Sequence, residues 1–193
     1  MHRYPLERRQ VLSLVFVAPA VLLSGNFLNS VAFSEQTEDD AALIKRFDFL
    51  SQNTNVNCSA EFEASIATMS ADAKLQGSCC SPMDKARYLQ QIKGIRSYAA
   101  ISEIPPDPYD IPVGMAQKLI PAYDLALNDT EQAAYDFAMA KSDMRGPCCC
   151  QCWRWRVYGG LGKHLIHERQ FTGQQLVDLW NIAQGCGGPA AAQ

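Results

Sequence analysis

Apolar residues recur along this chain at helical spacing and almost nowhere at strand spacing. Residues 39–52 carry Ala42, Ile44, Phe47 and Leu50 and predict a short helix. Cys58, Phe62, Ile66, Met69 and Ala73 follow at steps of four, four, three and four, which predicts a helix over 58–75 that breaks at Gly77 and Ser78. Ser81 and Pro82 read as the cap and first position of a helix that carries Leu89, Ile92 and Ile95 to about Arg96. Residues 101–112 hold Pro105, Pro106, Pro108 and Pro112, and residues before proline avoid helical angles, so this stretch predicts an extended linker between two helical halves. Residues 113–120 form the next helix, bounded by Pro121. Residues 129–142 follow, with Asp129 as cap and Gln132 three places on. Residues 148 to about 168 predict a long helix opened by Pro147. Residues 172–184 predict the last helix, with Thr172 and Gln175 as a capping box and Leu176, Leu179, Trp180 and Ala183 as its apolar face. Gly185 is expected to stop it in positive φ. The expected fold is all-α, an antiparallel bundle of six or seven helices with a Pro-rich linker.

The first 32 residues have a different character. A short basic start with Arg3, Arg8 and Arg9 precedes an apolar run over 11–28, and Ser30-Val31-Ala32 offers small residues at a cleavage position. This is the layout of an export signal, and it points to a periplasmic or extracellular protein with no stable membrane insertion after the signal is removed. Arg8-Arg9 resembles a twin-arginine signal, although Glu7 and Val11 stand where a hydroxylated and an aromatic residue are usual. The remaining 33–193 reads as a single helical, cysteine-rich domain. The leader takes three Arg and one Glu with it, so the net charge moves from -3 to -5. That balance gives no footprint for nucleic acid.

Eight cysteines change the picture, because a soluble domain of this size buries a core without covalent staples. Cys148, Cys149, Cys150 and Cys152 fall within five residues, and Cys79 and Cys80 are adjacent. Placed at helix starts, these thiols would ionise more readily, and thiolate is the form that binds metal. Cys149 and Cys152 alone have zinc-knuckle spacing, so Cu(I) or a small multinuclear thiolate cluster fits better than one structural zinc, with Zn(II) as the alternative ion. The expected ligand set is Cys148, Cys149, Cys150 and Cys152 joined by Cys79 and Cys80, and completed by Cys58 or Cys186. A disulfide framework is the rival reading for an exported chain with an even number of cysteines. Three consecutive cysteines count against it, because each needs its own partner in one crowded place. A thiol oxidoreductase or an iron–sulfur electron carrier is a further rival, although the strands of a thioredoxin-like fold are missing.

His164 and His167 share a helix face, but a straight helix puts His164 about 18 Å beyond Cys152, so they read as a solvated or capping pair. Trp153, Trp155, Tyr158 and Trp180 read as core, with the option of shielding a site. Gly159, Gly160 and Gly162 predict close helix packing, and Asp107 to Asp110 a turn. No Ser-His-Asp order, nucleotide fingerprint or paired-carboxylate signature stands out.

Around Pro147, Cys148, Cys150 and Cys152 the chain resembles the bacterial exported proteins named for a Pro-Cys-Tyr-Cys-Gly-Cys motif, with Cys149 in place of the tyrosine and Gln151 in place of the glycine. The resemblance implies a metal site at Cys148, Cys150 and Cys152 and supplies no activity. The reading as a whole is an exported soft-metal-binding protein for sequestration, trafficking or resistance. Its partners are the metal ion and another exported metal-handling protein.

Overall fold

The computed structural model describes residues 27–188, with side chains from residue 39 onward. The chain forms two units, residues 1–37 and 38–193, and the second holds all eight cysteines. The paired arginines and most of the expected leader lie outside the described residues.

The described chain is mostly helical. Helix α1 spans Phe27–Gln52, α2 Ala60–Ile66, α3 Lys85–Ile95, α4 Val113–Ala122, α5 Asp129–Lys141, α6 Trp153–Arg169 and α7 Gly173–Ile182. Strands β1 (Lys74–Gln76) and β2 (Asp110–Pro112) pair antiparallel, with Leu75 opposite Ile111. No described helix is long and apolar enough to cross a membrane.

Helix α6 is the centre of the second unit and packs against α2, α4, α5 and α7. It buries Trp153, Val157, Tyr158, Leu161 and Leu165. Each such apolar side chain contributes about 1.5–3 kcal/mol by leaving water. The expected role of the α6 glycines is met. A Cβ on Gly160 would overlap the carbonyl oxygen of Leu119 on α4, and one on Gly162 would lie 2.9 Å from the Trp180 ring on α7. A smaller cluster of Leu50, Tyr88, Ile92 and Tyr109 seats the end of α1 on α3. Ion pairs from Asp39 to Arg96 and from Asp40 to Lys93 flank it.

Several helix boundaries differ from the sequence expectation, each for a tertiary reason. The helix expected over 58–75 is confined to α2, because residues 74–76 pair with β2 instead. The helix expected from Ser81 starts at Lys85 with Asp84 as its cap, whose side chain accepts from the Arg87 amide. Ser81 to Met83 are otherwise engaged: the Ser81 amide donates to the Cys186 carbonyl, and the Pro82 carbonyl accepts from the Gly188 amide. The α5 cap sits one residue earlier than expected, with Asn128 and Glu131 forming the capping box. That register also places the Asp129 and Glu131 carboxylates in the first turn, where the helix dipole favours them. The α7 box of Thr172 and Gln175 is as expected. The stretch 101–112 buries Ile104, Tyr109 and Ile111 and ends in β2, so it is built into the core.

Candidate metal centre

All eight cysteines lie on loops or at their ends, and four separate segments deliver them. Cys58 stands just before the Ser59 cap of α2. Its segment lies along β1, since Asn55 exchanges backbone and side-chain hydrogen bonds with Gln76. Cys79 and Cys80 follow Gly77, whose φ of +83° turns the chain out of β1. The third segment, residues 142–152, carries Cys148, Cys149, Cys150 and Cys152. Its turn is held by Ser142, whose buried hydroxyl accepts from the Gly146 amide at 2.8 Å. Cys186 sits in the C-terminal turn tied to Ser81, where only glycine fits at 187, since φ is +76° and a Cβ would overlap the Ser81 carbonyl.

The helix expected from Cys148 therefore begins later, at Trp153, with Cys152 as its N-cap. The reason is geometric: successive helical residues point about 100° apart, so a helix would scatter the thiols. A turn gathers them, and the Cys152 amide closes it on the Cys150 carbonyl at 2.9 Å. Cys79 and Cys80 likewise precede α3 without joining it.

The sulfurs form one connected cage. Cys80 Sγ lies 3.1 Å from Cys150 Sγ, 3.4 Å from Cys58 and 3.6 Å from Cys149. Cys150 is also 3.5 Å from Cys58, 3.8 Å from Cys152 and 4.0 Å from Cys149. Five triads have their three sulfurs within 4.8 Å of one another: Cys58/Cys79/Cys152, Cys58/Cys80/Cys150, Cys79/Cys80/Cys186, Cys148/Cys149/Cys186 and Cys148/Cys150/Cys152. Two thiolates on one tetrahedral ion at about 2.3 Å sit about 3.8 Å apart, so these spacings suit ligands of a shared ion. All eight thiols are free. Cys148, Cys152 and Cys186 form a buried floor, and Cys80 and Cys149 an exposed mouth. The expected ligand set is thus brought together whole, with both Cys58 and Cys186 included. Among the described residues no histidine or carboxylate joins any of these groups.

Beneath the floor lies Arg154. It is fully buried. Its guanidinium donates to the carbonyls of Pro108 and Gly77 and stacks 4.6 Å from the Trp153 ring centroid, while its Nε has no partner. No carboxylate among the described residues pairs with it. An isolated buried cation is costly, and the groups placed to offset it are the thiols of Cys79, Cys148 and Cys186, which supply negative charge once metal displaces their protons. Gly185 does not adopt positive φ. It is small because a Cβ would lie 2.5 Å from the Arg154 guanidinium carbon. Arg154→Leu is expected to weaken metal binding about 10–100-fold, the range typical of removing a group that supports a metal's ligands. Arg154→Lys keeps the charge and should lose less. Competition against a chelator of known affinity reads both.

Burial pushes the Cys58 and Cys150 thiols well up. Cys148 is raised to about 12, chiefly through its contact with Cys152, and Cys186 is raised through Cys148. At Cys80 burial opposes ionisation, but the thiols of Cys150, Cys58, Cys149 and Cys79 turned towards it hold it below its ordinary range. A thiol whose pKa is raised keeps its proton at pH 7, and metal must displace it. Metal loading at pH 7 is therefore expected to release one proton from each of Cys58, Cys148, Cys150 and Cys186, and binding should weaken as pH falls. Titration in weakly buffered solution measures this, and loading without acidification contradicts it.

Trp155 packs beside Cys148 and Cys186 and donates from Nε1 to the Tyr123 hydroxyl at 3.0 Å, so it shields the deep side of the cage. Trp180 is core, donating to the Tyr158 carbonyl. His164 and His167 stand apart from the sulfurs. His167 Nδ1 lies 3.1 Å from Glu131, and His164 Nε2 lies 3.7 Å from Glu103. Arg169 donates to Glu103 and holds its carboxyl down to about 2.

The fold and site thus define a mostly helical protein built around an all-sulfur cage. Comparison with protein-family models, curated proteins and solved structures found no match in any of the three.

Proposed function

We propose that this protein binds a soft metal ion through its cysteine cage, with Cu(I) as the ion and Zn(II) as the alternative. In this reading it is exported by its leader and serves metal sequestration, trafficking or resistance in the periplasm or outside the cell. The observation that carries the reading is the donor set: eight sulfurs from four loops converge, and among the described residues no oxygen or nitrogen ligand joins them. Soft thiolates select soft ions, and Cu(I) takes low coordination numbers that triads satisfy. The exposed Cys80 and Cys149 give a second metal-handling protein a place to exchange the ion. Elemental analysis of the protein from its own compartment tests the reading. Bound copper or zinc supports it, and a reduced protein that takes up neither defeats it.

The close approach of Cys80 and Cys150 favours a second reading, thiol redox chemistry. Two electrons and two protons would pass from such a pair to a substrate disulfide, which leaves as two thiols while a disulfide forms in the protein. Turnover of a model disulfide by the metal-free protein would favour this reading. The iron–sulfur alternative draws on the same thiolates and has no separate observation in its favour.

A further inference from the structure

We propose that the cage holds several Cu(I) ions at once, up to five, with most of its sulfurs shared between neighbouring ions. This rests on the soft-metal reading above and adds number and arrangement to it. A single ion takes at most four thiolates in such sites, which would leave half of the converged sulfurs without a role. The five triads instead use all eight. Seven cysteines belong to two triads each and Cys149 to one, and any two triads have at most one sulfur in common. That is the connectivity of three-coordinate ions bridged by single thiolates. Adjacent cysteines fit this scheme naturally. Cys79 and Cys80 have sulfurs 3.8 Å apart and meet in one triad, yet each also belongs to a second triad with other partners.

Charge is compatible with the same arrangement. Each thiol that binds gives up its proton and no electrons move, so five Cu(I) on eight thiolates leave three negative charges. A net anionic cluster needs a counter-charge on its dry side. Arg154 supplies one there, fully buried and without a carboxylate partner among the described residues.

The full chain, reduced and metal-free, is titrated with Cu(I) without oxygen and weighed by native mass spectrometry. Saturation at three to five ions is expected, with copper–copper scattering in X-ray absorption. Cys149→Ser removes a sulfur from one triad and Cys80→Ser from two, so Cys80→Ser should lower the capacity more. Both positions are exposed, which keeps the variants compatible with folding. Saturation at one or two ions, or above five, overturns the shared cage while leaving a soft-metal site. Equal capacities in the two variants overturn the assignment of sulfurs to triads. Failure to bind Cu(I) at all overturns the copper reading on which the proposal rests.

Discussion

Gly160→Ala is expected to destabilise the protein by about 3 kcal/mol or more, at the upper end of what overpacking a core costs. The sign is opposite to the usual one. In an exposed helix interior, glycine to alanine stabilises by about 1 kcal/mol. Here α6 crosses α4 at Gly160, and the new methyl would overlap the Leu119 carbonyl and lie 2.8 Å from the Tyr123 amide nitrogen. Both are backbone atoms, so no side chain can rotate away. The two helices must separate, and α6 carries Cys152 at its start. Denaturant unfolding of metal-free protein measures the loss. Metal capacity should fall with it, since moving α6 moves the floor of the cage. A Gly160→Ala variant as stable as the parent would mean that α4 and α6 do not meet as described.

Cys150→Ser should cost a large part of the metal affinity, as much as the change at its equally connected neighbour Cys80. Cys150 touches Cys58, Cys80, Cys149 and Cys152 at 4.0 Å or less, so it joins all the loops but the one holding Cys186. Serine nearly preserves the shape but offers a hard oxygen that soft ions disfavour. The expected loss exceeds the roughly 10–100-fold of an outer-shell change, because a ligand itself is removed. Cys150 is half-buried and outside every helix, so unfolding midpoints of the metal-free protein should move little. His167→Ala serves as the contrast: it breaks a surface contact with Glu131 and should leave metal affinity unchanged. If both variants bind alike, the cage is not the binding site.

The parts legible in the sequence were those governed by neighbours in the chain. The Thr172 and Gln175 box is a contact between residues three apart, so the pattern carries it. The α6 glycines were legible because three residues without side chains in an otherwise apolar helix imply close approach. Caps with two acceptable registers were not legible. Asn128/Glu131 and Asp129/Gln132 both satisfy the rule, and the folded chain uses the first. Periodicity also misled over 58–75, where its apolar stripe is real but β2 claims residues 74–76 through a pairing between distant parts of the chain. Arg154 gave no local signal at all. Its burial depends on Gly77, Pro108 and Gly185, which only the folded chain brings around it.

By itself the sequence determined the helical class and the thiol chemistry, because helix-forming patterns are local and residue types do not depend on folding. The tertiary structure decided that the eight thiols form one cage. Cys58 and Cys186 stand 128 positions apart, and only long-range contacts such as those of Ser81 with Cys186 and Asn55 with Gln76 carry such residues to a common place. Folding also placed the cysteines on loops, since helices radiate side chains outward while turns can point several sulfurs at one centre.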